Sequence, residues 1–206
     1  MITIVDTGVG NLASIKNMLR RAEAESTISR DRDAIAAATK LILPGIGAFD
    51  AGVARLRELD LVDLLRERAR DAHIPLLGIC LGAQLLFEGS DEGKEPGLGL
   101  IPGRVVRFDR ERLGSAVRVP HMGWTDVALS KPSALFEGMH PDPRFYFVHS
   151  FHFAPADASD ILCTCEHGYD FPAAVEHDNI FGVQFHPEKS HKFGMKLLEN
   201  FARLPS

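Results

Sequence analysis

The sequence predicts an α/β fold, an open and mostly parallel sheet with helices on both faces and a small antiparallel addition. Apolar strand-like runs and amphipathic helical segments alternate with short connections as far as residue 88, a pattern typical of doubly wound sheets. The run 76–79 then ends at Cys80, which lies between Gly78 and Gly82 and precedes a helical segment. Such a strand–turn–helix unit presents a nucleophile at the carboxyl edge of a sheet. After residue 103, strand-like runs follow one another directly, which indicates antiparallel pairing.

Length and composition favour one globular domain over residues 1–206, with 45% hydrophobic and 25% charged residues. The net charge of −5 and the lack of a basic patch argue against a nucleic-acid partner. No apolar run reaches the roughly 18 residues of a membrane helix, and the N-terminal residues do not resemble a signal peptide. Three cysteines, an odd number, argue against a disulfide framework. We therefore expect a cytoplasmic protein with no membrane contact.

The first half of the chain is expected to alternate between strands and helices. Its predicted strands are 2–6, 26–29, 40–43 and 76–79, and its predicted helices are 11–23, 33–38, 49–58, 61–72 and 83–87. The helix at 11–23 carries apolar residues at helical spacing, from Leu12 to Ala22. In such a sheet, ligands bind outside the carboxyl ends of the strands.

The second half is expected to contain mainly strands. Glycines and prolines predict a loop at 88–103, and 109–111 is expected to be a solvated turn. The predicted strands are 104–108, 116–120, 124–127, 145–153, 161–165, 173–176 and 180–184, followed by an amphipathic helix at 191–202. Aromatic and β-branched residues make 145–153 the clearest of these strands.

The first strand-to-helix connection has two interpretations. Gly8, Gly10 and Ala13 form a G-x-G-x-x-A string that is compatible with a dinucleotide site, with Asp31 or Asp33 as the ribose-binding acid. The same residues also fit a glycine-rich turn in which Asn11 caps the following helix. The second interpretation needs no cofactor, and we expect none.

Cys80 is the predicted nucleophile. Its position places the sulfur at the N-terminus of the next helix, where the helix dipole favours the reactive thiolate. The third predicted strand ends at the carboxyl edge of the same sheet, in the loop of Gly45, Ile46 and Gly47. Glycines in that position allow unusual backbone angles that turn amide N–H groups towards a ligand. Together these features predict a site at this edge of the sheet.

His186 and Glu188 form the second half of the predicted site. In an extended segment, residues two apart project to the same face, and Pro187 between them disfavours helix. A carboxylate beside an imidazole orients the ring and stabilises its protonated form. Cys80, His186 and Glu188 would then be nucleophile, general base and orienting acid. The alternative is an exposed His–Glu pair near a helix start.

These motifs resemble the class I, or triad-type, glutamine amidotransferases over nearly the whole chain. The resemblance is closest to the family of glutaminase subunits that serve imidazole glycerol phosphate synthesis in histidine biosynthesis. It is carried by DTGVGNL at 6–12, PGIGAF at 44–49, GICLG at 78–82, PHMGW at 120–124, YFVHS at 146–150 and GVQFHPEKS at 182–190. Thr7, Ala83 and Thr125 depart from the residues usual in the family, and none of the departures removes a catalytic group.

The resemblance implies a fold like that of class I glutamine amidotransferases. It also implies that the protein hydrolyses glutamine. Cys80 would attack the side-chain amide of glutamine to give a γ-glutamyl thioester, and His186 would protonate the departing ammonia. The turn itself suggests the N–H of Leu81 as one oxyanion donor, and the resemblance implies a second donor in the loop of Gly45, Ile46 and Gly47. It further implies glutamine-binding positions at Gln84, Ser150 and Phe151, although Gln84 also fits a plain surface or capping residue.

The resemblance implies a partner as well, a (β/α)₈-barrel cyclase subunit in a heterodimer that receives the ammonia through a channel. Trp124, Tyr146 and Lys189 match positions towards that interface, although core packing would also explain Trp124, the only tryptophan. Competing functions are a glutaminase of another pathway such as vitamin B6 synthesis, a cysteine peptidase or esterase, and a non-catalytic binding module. Cys163 and Cys165 are expected to be core thiols, and the spacing of the histidines indicates no metal site.

Overall fold

The computed structural model describes residues 1–205, which form an α/β fold built on a nine-stranded mixed sheet. The predicted fold class is confirmed. The strands are β1 Ile2–Val5, β2 Ser26–Ser29, β3 Lys40–Gly45, β4 Leu76–Cys80, β5 Phe87–Ser90, β6 Ile101–Arg107, β7 His121–Leu129, β8 Arg144–His149, β9 Phe151–Pro155, β10 Ile161–Glu166, β11 Asp170–His177 and β12 Ile180–Val183. The α-helices are α1 Leu12–Arg21, α2 Arg32–Ala36, α3 Phe49–Glu58, α4 Val62–Arg70, α5 Leu81–Gln84, α6 Arg110–Leu113 and α7 His191–Arg203.

The large sheet has the order β2-β1-β3-β4-β12-β11-β10-β7-β8. Its first five strands are parallel, and the pairs from β12 to β8 are antiparallel. Every residue of β1, β3, β4 and β12 is buried, as expected for parallel strands covered on both faces. β3, β4 and β12 are neighbours, so the segments that follow them meet at one edge of the sheet.

Two hydrophobic clusters cover the two faces of the sheet. Alternate residues of β3 enter different clusters, Ile42 the first and Leu41 and Leu43 the second, because successive strand residues point to opposite faces. The first cluster holds the apolar sides of α1 and α7, and the second holds those of α3 and α4. Among residues 1–205, no helix is long and apolar enough to cross a membrane.

The predicted helix at 83–87 is wrong, because α5 ends at Gln84 and Phe87 already belongs to β5. The backbone of the next two residues bonds to residues 98–100 instead of continuing the helix. Leu85 O accepts from Leu98 N at 2.7 Å, and Leu86 O accepts from Leu100 N at 2.7 Å. The segment 88–103, predicted as loop, contains most of β5 and the start of β6, which pair in a separate three-stranded sheet completed by β9.

The predicted single strand at 145–153 is two strands in different sheets. β8 pairs with β7 in the large sheet, and β9 pairs with β6 in the small one. The chain bends at Ser150, and His149 Nδ1 donates across the bend to Phe151 O at 2.7 Å. A run of aromatic residues specifies an extended backbone, but it does not specify where the strand changes partner.

Residues 116–120 form no strand, and 110–113 form a short helix where a turn was predicted. Asp109 caps that helix through its carboxylate, and Gly114 leaves it at a φ of +72°. Val117 and Val119 pack on the core from a loop, while Arg118 O accepts from His167 Nε2 at 2.9 Å. The β-branched residues thus reflect burial rather than sheet pairing.

The glycine-rich first connection is a tight turn, with Gly8 at φ +86° and Gly10 at φ +103°. Asn11 makes no side-chain cap to α1, so the predicted capping role is wrong. Asp31, considered above as a ribose-binding acid, caps α2 by accepting from Ala34 N at 2.9 Å. This bond accounts for Asp31 without a nucleotide.

Candidate active site

The nucleophile position is built by close packing of β4 against β3. Cys80 ends β4 at φ +52°, a strained angle for a residue with a side chain. A Cβ on Gly82 would lie 1.7 Å from Leu43 O, and a Cβ on Gly78 would lie 2.6 Å from Ala83 Cα. Both glycines of the motif are therefore required by backbone contacts around the turn.

The helix that follows Cys80 is only four residues long. The predicted contribution of a helix dipole to the thiolate is correspondingly small, because the dipole is a sum over aligned peptide units. Cys80 itself is 7% exposed, so its side chain is surrounded by protein groups rather than by solvent.

His186 and Glu188 do form a pair, although not in the predicted extended segment. His186 is extended at φ −104° and ψ 96°, and a 3₁₀ turn over Pro187–Lys189 then places Glu188 beside it. His186 Nδ1 lies 2.9 Å from Glu188 Oε1, and both side chains are 3% exposed. The alternative of an exposed pair near a helix start is wrong.

The surroundings of His186 favour its protonated form. Burial by itself lowers the pKa of the ring, but the Cys80 sulfur and the Glu188 carboxylate outweigh burial and raise the pKa to about 9. His186 Nε2 has no hydrogen-bond partner within residues 1–205. The Cys80 sulfur is therefore close enough to raise the pKa of the ring, although no well-aligned hydrogen bond occupies Nε2.

The backbone of His186 is fixed by strand β8 and by Ser190. His186 N donates to Tyr146 O at 2.9 Å, and Ser190 Oγ donates to His186 O at 2.6 Å. Tyr146 N in turn donates to Ser190 Oγ at 3.0 Å. This closed set of bonds holds the backbone of His186 against β8.

The glycine loop after β3 lies next to the nucleophile turn. Gly45 is paired with Cys80 in the sheet register, and a Cβ on Gly45 would lie 3.0 Å from Gly82 N. Gly47 has a φ of +104°, and Ile46 is half exposed. A cavity of about 550 Å³ opens between this loop and the first glycine-rich turn, and Leu81 lines it as well.

The predicted glutamine-binding positions are also neighbours. Gln84 is buried, and its Nε2 lies 3.5 Å from Phe151 O. Ser150 is partly buried at the bend before Phe151. The alternative of Gln84 as a plain surface residue is therefore wrong.

A buried histidine fixes the Phe151 carbonyl. Burial lowers the pKa of His149 well below its ordinary value, so the ring is neutral and donates from Nδ1 to Phe151 O. His149 Nε2 is then the acceptor for His121 Nδ1 at 3.0 Å. Thr125 Oγ1 lies 2.9 Å from His121 Nε2 and donates to it.

Gln184 is a site residue that the sequence argument missed. It follows β12, is fully buried, and its Nε2 lies 3.8 Å from Cys80 Sγ. The available signal was a polar side chain directly after the apolar run 180–183, at the carboxyl edge where the other site segments end.

The three predicted interface residues share one surface. The Trp124 ring contacts the Tyr146 ring edge-on, with centroids 6.3 Å apart, and stacks on His191 at 5.3 Å. Lys189 Nζ lies 5.4 Å from the centre of the Tyr146 ring. Trp124 is 38% exposed and Met122 beside it is 62% exposed. Core packing is therefore the wrong explanation of Trp124.

The other two cysteines lie in a different strand of the large sheet. Cys163 and Cys165 are buried free thiols in β10, as predicted. Burial raises the pKa of both, that of Cys165 to about 12. They are inert at neutral pH.

Comparison with known proteins gives the family. Residues 3–204 match the family described as glutamine amidotransferase class-I. The chain is 50% identical to imidazole glycerol phosphate synthase subunit HisH 2 of Pseudomonas aeruginosa, over 99% of this chain and 100% of that protein. It is 48% identical to the subunit of the same name from Methanococcus maripaludis, over 98% and 99%.

Solved structures agree on the fold. A structure described as a glutamine amidotransferase superposes with a TM-score of 0.71 at 20% identity, over 96% of this chain and 98% of that one. The structure of PurLQS from Thermotoga maritima gives a TM-score of 0.70 at 18% identity, over 97% and 96%. The chain therefore belongs to the class I glutamine amidotransferases and, within them, to HisH, the glutaminase subunit of imidazole glycerol phosphate synthase.

Proposed function

We propose that Cys80, His186 and Glu188 form the triad that hydrolyses the side-chain amide of glutamine to glutamate and ammonia. The observation that carries the proposal is the buried His186–Glu188 bond, with a His186 pKa raised to about 9 by the sulfur and the carboxylate. A pKa of that size keeps an imidazolium beside the sulfur at neutral pH, which favours the thiolate. Residues 1–206 would act as one amidotransferase domain.

The reaction proceeds in two halves. The Cys80 thiolate attacks the amide carbon, and His186 gives its Nε2 proton to the departing ammonia, leaving a γ-glutamyl thioester. Water then attacks the thioester while His186 takes its proton, and glutamate leaves as the thiolate returns. Glu188 holds the ring through Nδ1 in both halves, so that Nε2 always faces the reacting atoms.

The oxyanion of each tetrahedral intermediate needs preorganised donors. Leu81 is the first residue of α5, so its N–H has no partner within the helix. The second donor is an N–H in the loop of Gly45, Ile46 and Gly47, which is packed against the nucleophile turn. Loss of one such donor typically reduces turnover by about 10²-fold.

The substrate would lie between α5 and the bend at Ser150. Gln84 and the backbone of Ser150 and Phe151 would bind the glutamine, since the Phe151 carbonyl is fixed by His149 and lies close to Gln84. A rigid backbone segment of this kind positions the amide for attack without further ordering.

The ammonia would pass to a (β/α)₈-barrel cyclase subunit, which makes imidazole glycerol phosphate and AICAR. Trp124, Tyr146 and Lys189 would contact that subunit, because an exposed tryptophan beside an exposed methionine is the kind of apolar patch that a partner covers. His186 lies directly behind the same surface, since its backbone N donates to Tyr146 O at 2.9 Å.

Glutaminase assays of the chain, alone and with the cyclase subunit, test both parts of the proposal. Cys80→Ala should abolish glutamate release, and Cys163→Ala should leave most of it. Trp124→Ala should lower the activity only when the cyclase is present. Activity in Cys80→Ala would refute the triad, and a Trp124→Ala complex with wild-type affinity and stimulation would refute the interface.

A further inference from the structure

Gln184 presents its amide nitrogen to the nucleophile. Its side chain is fully buried, and Nε2 lies 3.8 Å from Cys80 Sγ. Its backbone N donates to Ala173 O at 2.9 Å, which continues the pairing of β12 with β11. The residue is therefore held by its own strand, next to the end of β4.

The orientation of the Gln184 amide follows from its second neighbour. Gln84 Nε2 lies near Phe151 O, which can only accept, so the Gln84 amide is oriented with its nitrogen towards that carbonyl. The same nitrogen donates to Gln184 Oε1 at 3.0 Å. With the oxygen of Gln184 used in this way, its NH₂ group is the one that meets the sulfur.

A donor beside the sulfur matters because the other local source of stabilisation is weak. The helix after Cys80 has four residues, so its dipole contributes little to the anion. His186 acts on the sulfur from another segment. A hydrogen-bond donor favours the charged form of an acid over its neutral form, and here it also restricts where the sulfur can lie.

We infer that Gln184 is a positioning residue for the reaction, whose side-chain amide holds the Cys80 sulfur and favours its thiolate, while Gln84 keeps that amide in the required orientation. The inference rests on the proposed role of Cys80 as the nucleophile. It gives Gln84 a second task besides contact with glutamine, because Gln84 links the substrate-binding backbone at Phe151 to the amide that touches the sulfur.

The test is the pH dependence of Cys80 alkylation by iodoacetamide, measured by peptide mass spectrometry on the full chain, alone and with the cyclase subunit. Gln184→Met keeps the length of the side chain and removes the donor. We expect the midpoint of the profile to move up by about one pH unit and the rate at pH 7 to fall about tenfold, the effect of one hydrogen bond to a charged group. Asn200→Leu, which removes a buried amide of α7 bonded to Leu135 O and Glu137 O, should leave the midpoint unchanged.

A folded Gln184→Met protein with the wild-type midpoint would overturn the inference, and so would an equal shift in Asn200→Leu. If Gln184→Met does not fold, Gln84→Met is measured instead. Gln84 does not touch the sulfur and would act on it only through its bond to Gln184. This variant should move the midpoint in the same direction by a smaller amount, and an unchanged profile would again overturn the inference. Alkylation reports on the sulfur without glutamine, so its outcome is separate from glutaminase activity in Cys80→Ala, which tests the proposed function.

Discussion

Replacing Glu188 by glutamine is the most direct test of the proposed role of the His186–Glu188 pair in proton transfer. The Glu188 carboxylate accepts from His186 Nδ1 at 2.9 Å, and neither side chain is more than 3% exposed. Glutamine keeps the shape and an acceptor oxygen but removes the charge. Burial, which lowers the pKa of His186, is then opposed by Cys80 alone.

The structure sets the size of the effect. A pKa of about 9 in place of 6.5 for His186 corresponds to about 3 kcal/mol in favour of the protonated ring, at about 1.4 kcal/mol per tenfold. Cys80 and Glu188 together cause this rise in the His186 pKa. The loss of Glu188 should therefore reduce the fraction of protonated His186 beside Cys80 about tenfold near pH 8. Poorer orientation of the ring adds to this, and we expect kcat/KM for glutamine to fall about 10²-fold.

The assay measures glutamate release in the presence of the cyclase subunit from pH 6 to pH 10, together with Cys80 alkylation over the same range. Glu199→Gln is the matched control, because Glu199 pairs with Arg203 at the end of α7 and away from the triad. Its profiles should follow those of the wild type. The reasoning is refuted if Glu188→Gln retains activity within twofold of the wild type and shows the same alkylation profile.

Three further predictions concern stability and thiol reactivity. Gly82→Ala should lower the free energy of unfolding by more than about 3 kcal/mol, because its Cβ would lie 1.7 Å from Leu43 O. Gly114→Ala, where the space is open but φ is +72°, should lower it by about 1 kcal/mol. Equal urea midpoints for the two variants would contradict this. The raised pKa of His186 stabilises the fold fully below pH 6.5, and this contribution is lost as the pH rises through about 9. Urea titrations at pH 6.5 and pH 9.5 should therefore differ more in the wild type than in Glu188→Gln, and an identical difference in both would count against the assigned pKa. Iodoacetamide at pH 8 should label Cys80 and spare Cys163, because burial raises the pKa of the Cys163 thiol. Labelling of Cys163 in the folded protein, measured by peptide mass spectrometry, would contradict this prediction.

Local patterns were sufficient for the elements that carry their own periodicity. The bounds of α3 agree with the prediction at both ends, and those of α7 and the parallel strands agree within two residues. The strand–turn–helix unit at Cys80 was also predictable, because the motif G-x-C-x-G contains the two glycines that its packing requires. These features depend on residues close together in the chain.

Other features depend on which segments become neighbours. The nine-residue aromatic run divides between two sheets at Ser150, and α5 stops where the backbone after Gln84 bonds to residues 98–100 instead. Glu188 reaches His186 through a 3₁₀ turn rather than an extended strand. Each outcome satisfies backbone groups that only the folded sheet brings together.

The sequence alone was enough to predict the fold class, the strand–turn–helix unit at Cys80 and the pairing of His186 with Glu188, because apolar periodicity and short motifs encode these directly. Only the tertiary structure placed Gln184 against the sulfur of Cys80, 104 positions away in the chain. The physical reason is that β12 lies beside β4 in the sheet. A buried amide needs hydrogen-bond partners among its neighbours, and for the nitrogen of Gln184 the neighbouring strand presents the Cys80 thiol.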